Sequence, residues 1–180
     1  MRICFLCDRI ILVIKMEYSE RKSPRLKGFD YSAPGIYFVT VCTYKMRMLF
    51  WENPMCPDAI PIADRLNFAG KIAEDAIRSL PEKFPVKIDK YVVMPNHIHL
   101  ILTVKESEMK NERIGTVSLA IRNIKMNISK QLHNLKIEDS IWQRSFHDHI
   151  IRNEKEYQMI WQYIENNPRK WAEDCFYNKR

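Results

Sequence analysis

The chain has 180 residues, 46% hydrophobic and 28% charged, with a formal net charge of +7 and a pI near 9.2. That length supports one domain with small appendages and its own core, the composition is that of an ordinary globular protein, and no apolar run reaches the ~20 residues a membrane span needs. The basic excess points to a polyanionic partner, nucleic acid or an anionic membrane surface. The five cysteines, odd in number and irregular in spacing, suit a reduced cytoplasmic setting rather than a disulfide framework.

Residues 1–15 are apolar but broken by Asp8 and Arg9, and no small-residue cleavage site follows, which excludes a signal peptide. Cys4 and Cys7 form a C-x-x-C with no second half to complete a zinc site. Met16 is a second candidate start, which would make residues 1–15 an upstream over-extension. Residues 1–30 read as a leader containing a basic arm, with Arg21, Lys22, Arg25 and Lys27 able to contact phosphates, and residues 31–180 as one catalytic domain.

The β-branched and aromatic run Ile36–Thr43 predicts a first strand, central because both faces are apolar. Three prolines make 51–63 a loop. Asp64 can cap a helix running to about Leu80, stopped by Pro81 and Pro85. A second strand follows over Val86–Val93, then a tight turn at Met94-Pro95-Asn96 and a third strand from His97 to about Val104. Helical spacing of Ile121, Ile124, Ile128, Leu132 and Leu135 predicts a helix over 116–135. It carries Arg122, Lys125, Lys130 and Lys136 with no acidic residue between Glu112 and Glu138, a pattern that favours phosphate contact. Residues 141–151 read as a fourth strand. Asn153 and Glu156 form the start signal of a last helix that Pro168 ends. The order is βαββαβα, and its first six elements give the α+β, ferredoxin-like pattern: a four-stranded antiparallel sheet with helices on one face, plus a C-terminal helix.

Two histidines stand two apart in the third strand. A strand repeats every two residues, so His97 and His99 share one face while Ile98, Leu100, Leu102 and Val104 point into a core on the other. Two neutral imidazoles on a rigid face can share a divalent ion. On the last helix, Tyr157, Ile160, Trp161 and Ile164 form an apolar stripe, with Tyr163 at its edge and Asn167 one turn further on. Both are aimed at the sheet margin, where a tyrosine hydroxyl beside a metal-bound phosphate is a candidate nucleophile. Asn167 precedes Pro168, which disfavours helical backbone at that position.

Three stretches together resemble the single-tyrosine HUH transposases, and most closely the REP-associated tyrosine transposases: Gly35–Thr43, Val93-Met94-Pro95-Asn96-His97-Ile98-His99-Leu100, and Trp142–Asn153 through to Tyr163-Ile164-Glu165-Asn166-Asn167-Pro168. The resemblance runs from about Arg21 to Trp171. It implies that His97, His99 and Asn167 hold a divalent metal, Mg²⁺ or Mn²⁺, and that Tyr163 is the catalytic nucleophile. The implied activity is metal-dependent cleavage and strand transfer on single-stranded DNA that folds into an imperfect hairpin, through a 5′-phosphotyrosine and without a nucleotide cofactor. The matching DNA contacts would come from Arg21, Arg25, Lys27, Arg122, Lys125, Lys130, Arg144, His149 and Arg152. His147 and His149 form a second His-x-His; His149 with Arg152 reads as a structural or DNA-contacting pair, and metal binding by His147 and His149 is the rival reading. The implied setting is cytoplasmic and nucleoid-associated, as monomer or homodimer, with the tyrosine helix acting in cis or in trans. A module that binds structured single strands without cutting them, and a protein–protein scaffold on the same fold, are the alternatives at this point.

Overall fold

The computed structural model describes residues 33–55, 61–106, 115–136, 140–174 and 176–177. The N-terminal arm with Arg21, Arg25 and Lys27 lies outside them, as do the C-x-x-C and Met16. Four strands form one sheet: β1 (Gly35–Cys42), β2 (Val86–Val93), β3 (His97–Val104) and β4 (His147–Ile151). Their spatial order is β2-β3-β1-β4, and all neighbours are antiparallel. β1 is central, as its two-sided apolar pattern predicts. Three helices complete the expected βαββαβα order: α1 (Phe68–Arg78), α2 (Thr116–Asn134) and α3 (Glu154–Asn166).

The two faces of the sheet are buried differently. Tyr37, Val39 and Val41 of β1 and Ile98, Leu100 and Leu102 of β3 form the main core with Ile72, Ala76 and Ile77 of α1 and Ile121, Ile124 and Ile128 of α2. The opposite face packs Phe38, Ile101 and Ile151 against Ile160, Tyr163 and Ile164 of α3. The first two helices thus share one face, and the C-terminal helix closes the other.

Three boundaries differ from the sequence expectation. α1 starts at Asn67, whose Oδ1 accepts the Gly70 N–H at 3.0 Å, while Asp64 sits in a preceding 3₁₀ turn. Asn67 prevails because its amide also donates to the carbonyls of Leu49 and Trp51, which fixes the entry of the helix. β4 is shorter than 141–151. The carbonyls of Gln143 and Ser145 accept from the Lys125 ammonium at 2.8 and 2.7 Å, and Trp142 makes only an isolated bridge to Thr43, so the chain before His147 is a loop held by α2. Third, Asn167 is helical, at φ −56° and ψ −45°, despite the following proline. Pro168 is the second residue of a new 3₁₀ segment, Asn167–Glu173, where its missing N–H costs nothing. The Arg65 guanidinium anchors this turn through the Pro168 carbonyl at 2.6 Å.

Gly70 lies where α1 approaches the backbone of Phe50. A Cβ there would stand 2.3 Å from the Phe50 carbonyl oxygen, which the Asn67 N–H already holds at 3.0 Å. Helix propensity alone favours Gly70→Ala by about 1 kcal/mol, but the forced backbone shift costs about 1–3 kcal/mol. Urea denaturation should therefore show net destabilisation, and a stabilised variant would mean that this contact yields freely.

Candidate active site and metal centre

The face of the sheet under α3 carries a row of polar side chains. Alternation along β3 turns His97 and His99 toward it, and the β1–β3 register sets Cys42 opposite His97 and Thr40 opposite His99. Thr40 also faces His147 of β4. Both β3 histidines are fully buried. Their ring centroids lie 4.4 Å apart at 66°. His97 Nδ1 is 2.8 Å from Asn96 Oδ1, and His99 Nδ1 is 2.8 Å from Thr40 Oγ1. The Tyr163 hydroxyl is 3.2 Å from His99 Nε2. Phe38 packs on the His99 ring and, edge-on, against Tyr163, which locks both aromatic groups in place. The tyrosine therefore reaches the histidine pair as the helical geometry of 157–167 predicts, but from within the buried stripe rather than from its edge.

Burial decides the protonation of this pair. Loss of solvation holds His97 well below the usual imidazole range, with His99 adding a smaller push in the same direction. Desolvation, followed by the nearby His147, pushes His99 down to about 3. Both rings are neutral at physiological pH, so each keeps one nitrogen lone pair available for a cation. Cys42 stays a protonated thiol, its pKa raised to about 12 chiefly by burial.

Two buried oxygens bear on a candidate centre: the Asn167 amide, one turn after Tyr163, and the Asp174 carboxylate beside the histidines. Asn167 lies on the first residue after α3, and its Oδ1 has no hydrogen-bond partner among the described residues; the same holds for His97 Nε2. Bare buried acceptors of this kind cost free energy unless a cation or donor meets them. Asp174, at the end of the 3₁₀ segment, is the second. Ligand atoms of His97, His99 and Asp174 lie within 4.8 Å of one another. Three ligands of one ion with bonds of ~2.2 Å stand roughly 3–4.4 Å apart, so these atoms need to draw together to meet one ion. Two imidazoles with an amide or carboxylate oxygen form a donor set that fits a divalent metal. Nothing in the sequence pattern singled out Asp174, because it lies beyond the last regular helix.

The remaining predicted contact residues that the structure describes differ in burial. Arg122, Lys130, Arg144 and Arg152 are exposed. Lys125 is half-buried and spends its ammonium on the Gln143 and Ser145 carbonyls. Burial lowers its pKa to about 8. His149 is buried, with Nε2 2.6 Å from Glu156 Oε1. The other carboxylate oxygen of Glu156 accepts the Arg152 N–H, while the Asn153 side chain caps α3 through the Glu156 N–H. This histidine thus braces the start of the tyrosine helix. His147 lies close enough to bias His99 electrostatically, on the far side of Thr40.

The sequence profile described as "Transposase IS200 like" matches residues 65–167, more than half of the chain and a span that contains both histidines, Tyr163 and Asn167. The chain belongs to this transposase family. Over 174 residues it is 32% identical to an uncharacterised protein of Haemophilus influenzae, covering 87% of this chain and 93% of that one. It is 35% identical over 95 residues to the REP-associated tyrosine transposase of Escherichia coli, a match spanning 53% of this chain and about half (52%) of that relative. Among solved structures, a REP-associated tyrosine transposase bound to a REP hairpin shares the fold, with a TM-score of 0.54 and 24% identity over 87% of this chain and 78% of the other. The family assignment and the ferredoxin-like sheet with its added C-terminal helix agree with the resemblance read from the three motifs. No helix among the described residues of this transposase-family chain is long and apolar enough to cross a membrane.

The neutral histidine pair has a consequence for acid stability. The unfolded chain binds a proton on each imidazole near pH 6.5, whereas the folded state resists protonation until far lower pH. Stability is therefore full above about 6.5 and is lost as the pH falls toward the depressed folded values, by up to ~1.4 kcal/mol per pH unit for each histidine. Urea titrations in chelator should show this slope below about pH 6. His99→Gln should make it shallower, and an unchanged slope would show that His99 carries no such burial cost.

Proposed function

We propose that this chain is a metal-dependent nicking and joining enzyme for single-stranded DNA at hairpin-forming repeats, with residues 31–180 acting as one catalytic unit. The observation that carries the proposal is the Tyr163 hydroxyl lying 3.2 Å from His99 Nε2, in a buried cluster where His97 Nε2 has no hydrogen-bond partner among the described residues; Asn167 Oδ1, one turn after Tyr163, has none there either. Family membership supports it, and so does the hairpin bound by the structural relative.

His97 and His99 would hold the ion, with Asn167 Oδ1, Asp174 or both as the oxygen donors. When bound, Mg²⁺ or Mn²⁺ supplies a Lewis acid that polarises the scissile phosphate and favours the phenolate of Tyr163. The chain's own part is positional. α3 holds the Tyr163 oxygen on a rigid face, with Phe38 and His99 limiting its rotamers. That oxygen attacks phosphorus, a P–O–tyrosine bond forms, and the P–O3′ bond breaks. The phenol gives up one proton and the departing 3′ oxygen takes up one, so the step is proton-neutral. Because the ester energy is retained on Tyr163, a 3′ hydroxyl can reverse the attack and rejoin strands without a nucleotide cofactor. Burial makes His99 a poor proton acceptor, which suits it to ligation rather than to general-base work. The exposed Arg122, Lys130, Arg144 and Arg152 would contact DNA phosphates, an attraction that weakens steeply with salt.

The test is a covalent-adduct gel with labelled hairpin single strands and Mn²⁺. Wild type should give a protein–DNA adduct that chelator abolishes. Tyr163→Phe should reduce adduct and nicking to the uncatalysed background while leaving hairpin affinity unchanged, and nicking by this variant at the wild-type rate would refute the nucleophile assignment. Mn²⁺ titration by calorimetry separates the oxygen donors: whichever of Asn167→Ala and Asp174→Ala removes a ligand should weaken binding by at least about tenfold, and full affinity in both variants would exclude both.

A further inference from the structure

Asn96 sits between the apolar turn and the first histidine, fully buried, and all of its side-chain hydrogen-bonding groups are engaged. Its amide nitrogen donates to the Phe176 carbonyl at 2.8 Å and points at the Met46 carbonyl at 3.4 Å. Turning the amide over would set its oxygen against two carbonyl oxygens, so the orientation is determined by its surroundings. Oδ1 must then face His97 Nδ1, at 2.8 Å. An amide oxygen only accepts, so Nδ1 carries the hydrogen. Nε2 is buried with no acceptor among the described residues, so a second N–H there would be left unpaired; the ring holds a single N–H, and Nε2 is a bare lone pair. His99 differs. Its two neighbours, Thr40 and Tyr163, are both hydroxyls, and either can donate or accept, so they impose no tautomer.

We infer that Asn96 is a positioning residue that locks His97 in the Nδ1–H tautomer and thereby turns the Nε2 lone pair into the site. Neutral imidazole in water favours the opposite tautomer, so the lock works against an intrinsic preference. It is built on a rigid base. The Asn96 carbonyl accepts from the Thr43 N–H at 2.9 Å, the Thr43 hydroxyl stands within reach of that carbonyl and of the Arg47 carbonyl, at 2.9 and 2.8 Å, and the Pro95 carbonyl accepts from the N–H groups of Leu49 and Phe50. The same amide tethers the chain 80 positions downstream, where the Phe176 ring lies 4.5 Å from the His97 ring. The orientation of one ligand is therefore set jointly by the turn after β2, the loop after β1 and the segment after α3.

The functional use of the lock rests on the reading of His97 as a metal ligand, whereas the tautomer itself can be read without metal. Long-range ¹H–¹⁵N correlation spectra of labelled protein in chelator, with His97 assigned through His97→Gln, should show Nδ1 protonated and Nε2 bare. Asn96→Ala, which removes the acceptor at Nδ1, should lose this preference. In calorimetric Mn²⁺ titrations Asn96→Ala should bind about 10–100-fold more weakly. A proton on Nε2 in the wild type, a reading that needs no variant to fold, would overturn the inference. So would a folded Asn96→Ala with unchanged tautomer and affinity. A wild type that shows the Nδ1–H form yet binds no Mn²⁺ would leave the lock standing and remove the metal reading instead.

Discussion

The antiparallel pairing of β3 with β1 at the centre of the sheet is the constraint on which the rest of this molecule depends. One register sets His97 opposite Cys42 and His99 opposite Thr40, and alternation sends Ile98, Leu100 and Leu102 into the main core on the other side. A slip of one residue would drive both imidazoles into that core and expose the aliphatic side chains. Each apolar side chain of this set contributes about 1.5–3 kcal/mol when fully buried, so the hydrophobic face enforces the placement of the polar one. The same burial that stabilises the sheet thus aims the histidines.

Covering the histidine face with α3 has an electrostatic result. A helix carrying Ile160, Tyr163 and Ile164 excludes water, and loss of solvation is the leading cause of the low basicity of both imidazoles. Neutral imidazoles, with one nitrogen and one amide oxygen that have no partner among the described residues, are a combination that an apolar interior tolerates poorly. Glu156 links this arrangement to the sheet a second time. It meets His149 of β4 with one oxygen and the Arg152 backbone with the other, so the start of the tyrosine helix is held to the strand beside β1. The tyrosine is positioned by packing at its own turn and by a hydrogen-bonded brace two turns earlier.

Much of this was legible in the amino-acid order because short-range rules governed it. The β-branched run of β1, the His-x-His alternation, the Asn153 cap and the 3.6-residue spacing of α3 each depend on residues close in sequence. Tyr163 could be aimed at the sheet from those alone. Where a distant partner competed with the local signal, the local signal lost. Asn67 displaced Asp64 as the cap of α1 because the carbonyls of Leu49 and Trp51 hold its amide. Lys125 kept residues 143–145 out of β4 by taking their carbonyls. Its placement in a phosphate-contacting set came from the charge pattern of its helix, a signal that carries no information about which cations a fold uses internally.

By itself, the sequence determined the order of elements, the face on which the two histidines stand, the family and the tyrosine's side of its helix, since periodicity and motif spacing are properties of neighbouring residues. Only the tertiary structure decided that Asp174 lies beside the histidines, that Asn167 stays helical before Pro168, and that Asn96 is clamped by Phe176 and Met46. Those outcomes depend on which distant backbone groups are left needing a partner once the sheet has closed, and no local pattern encodes that.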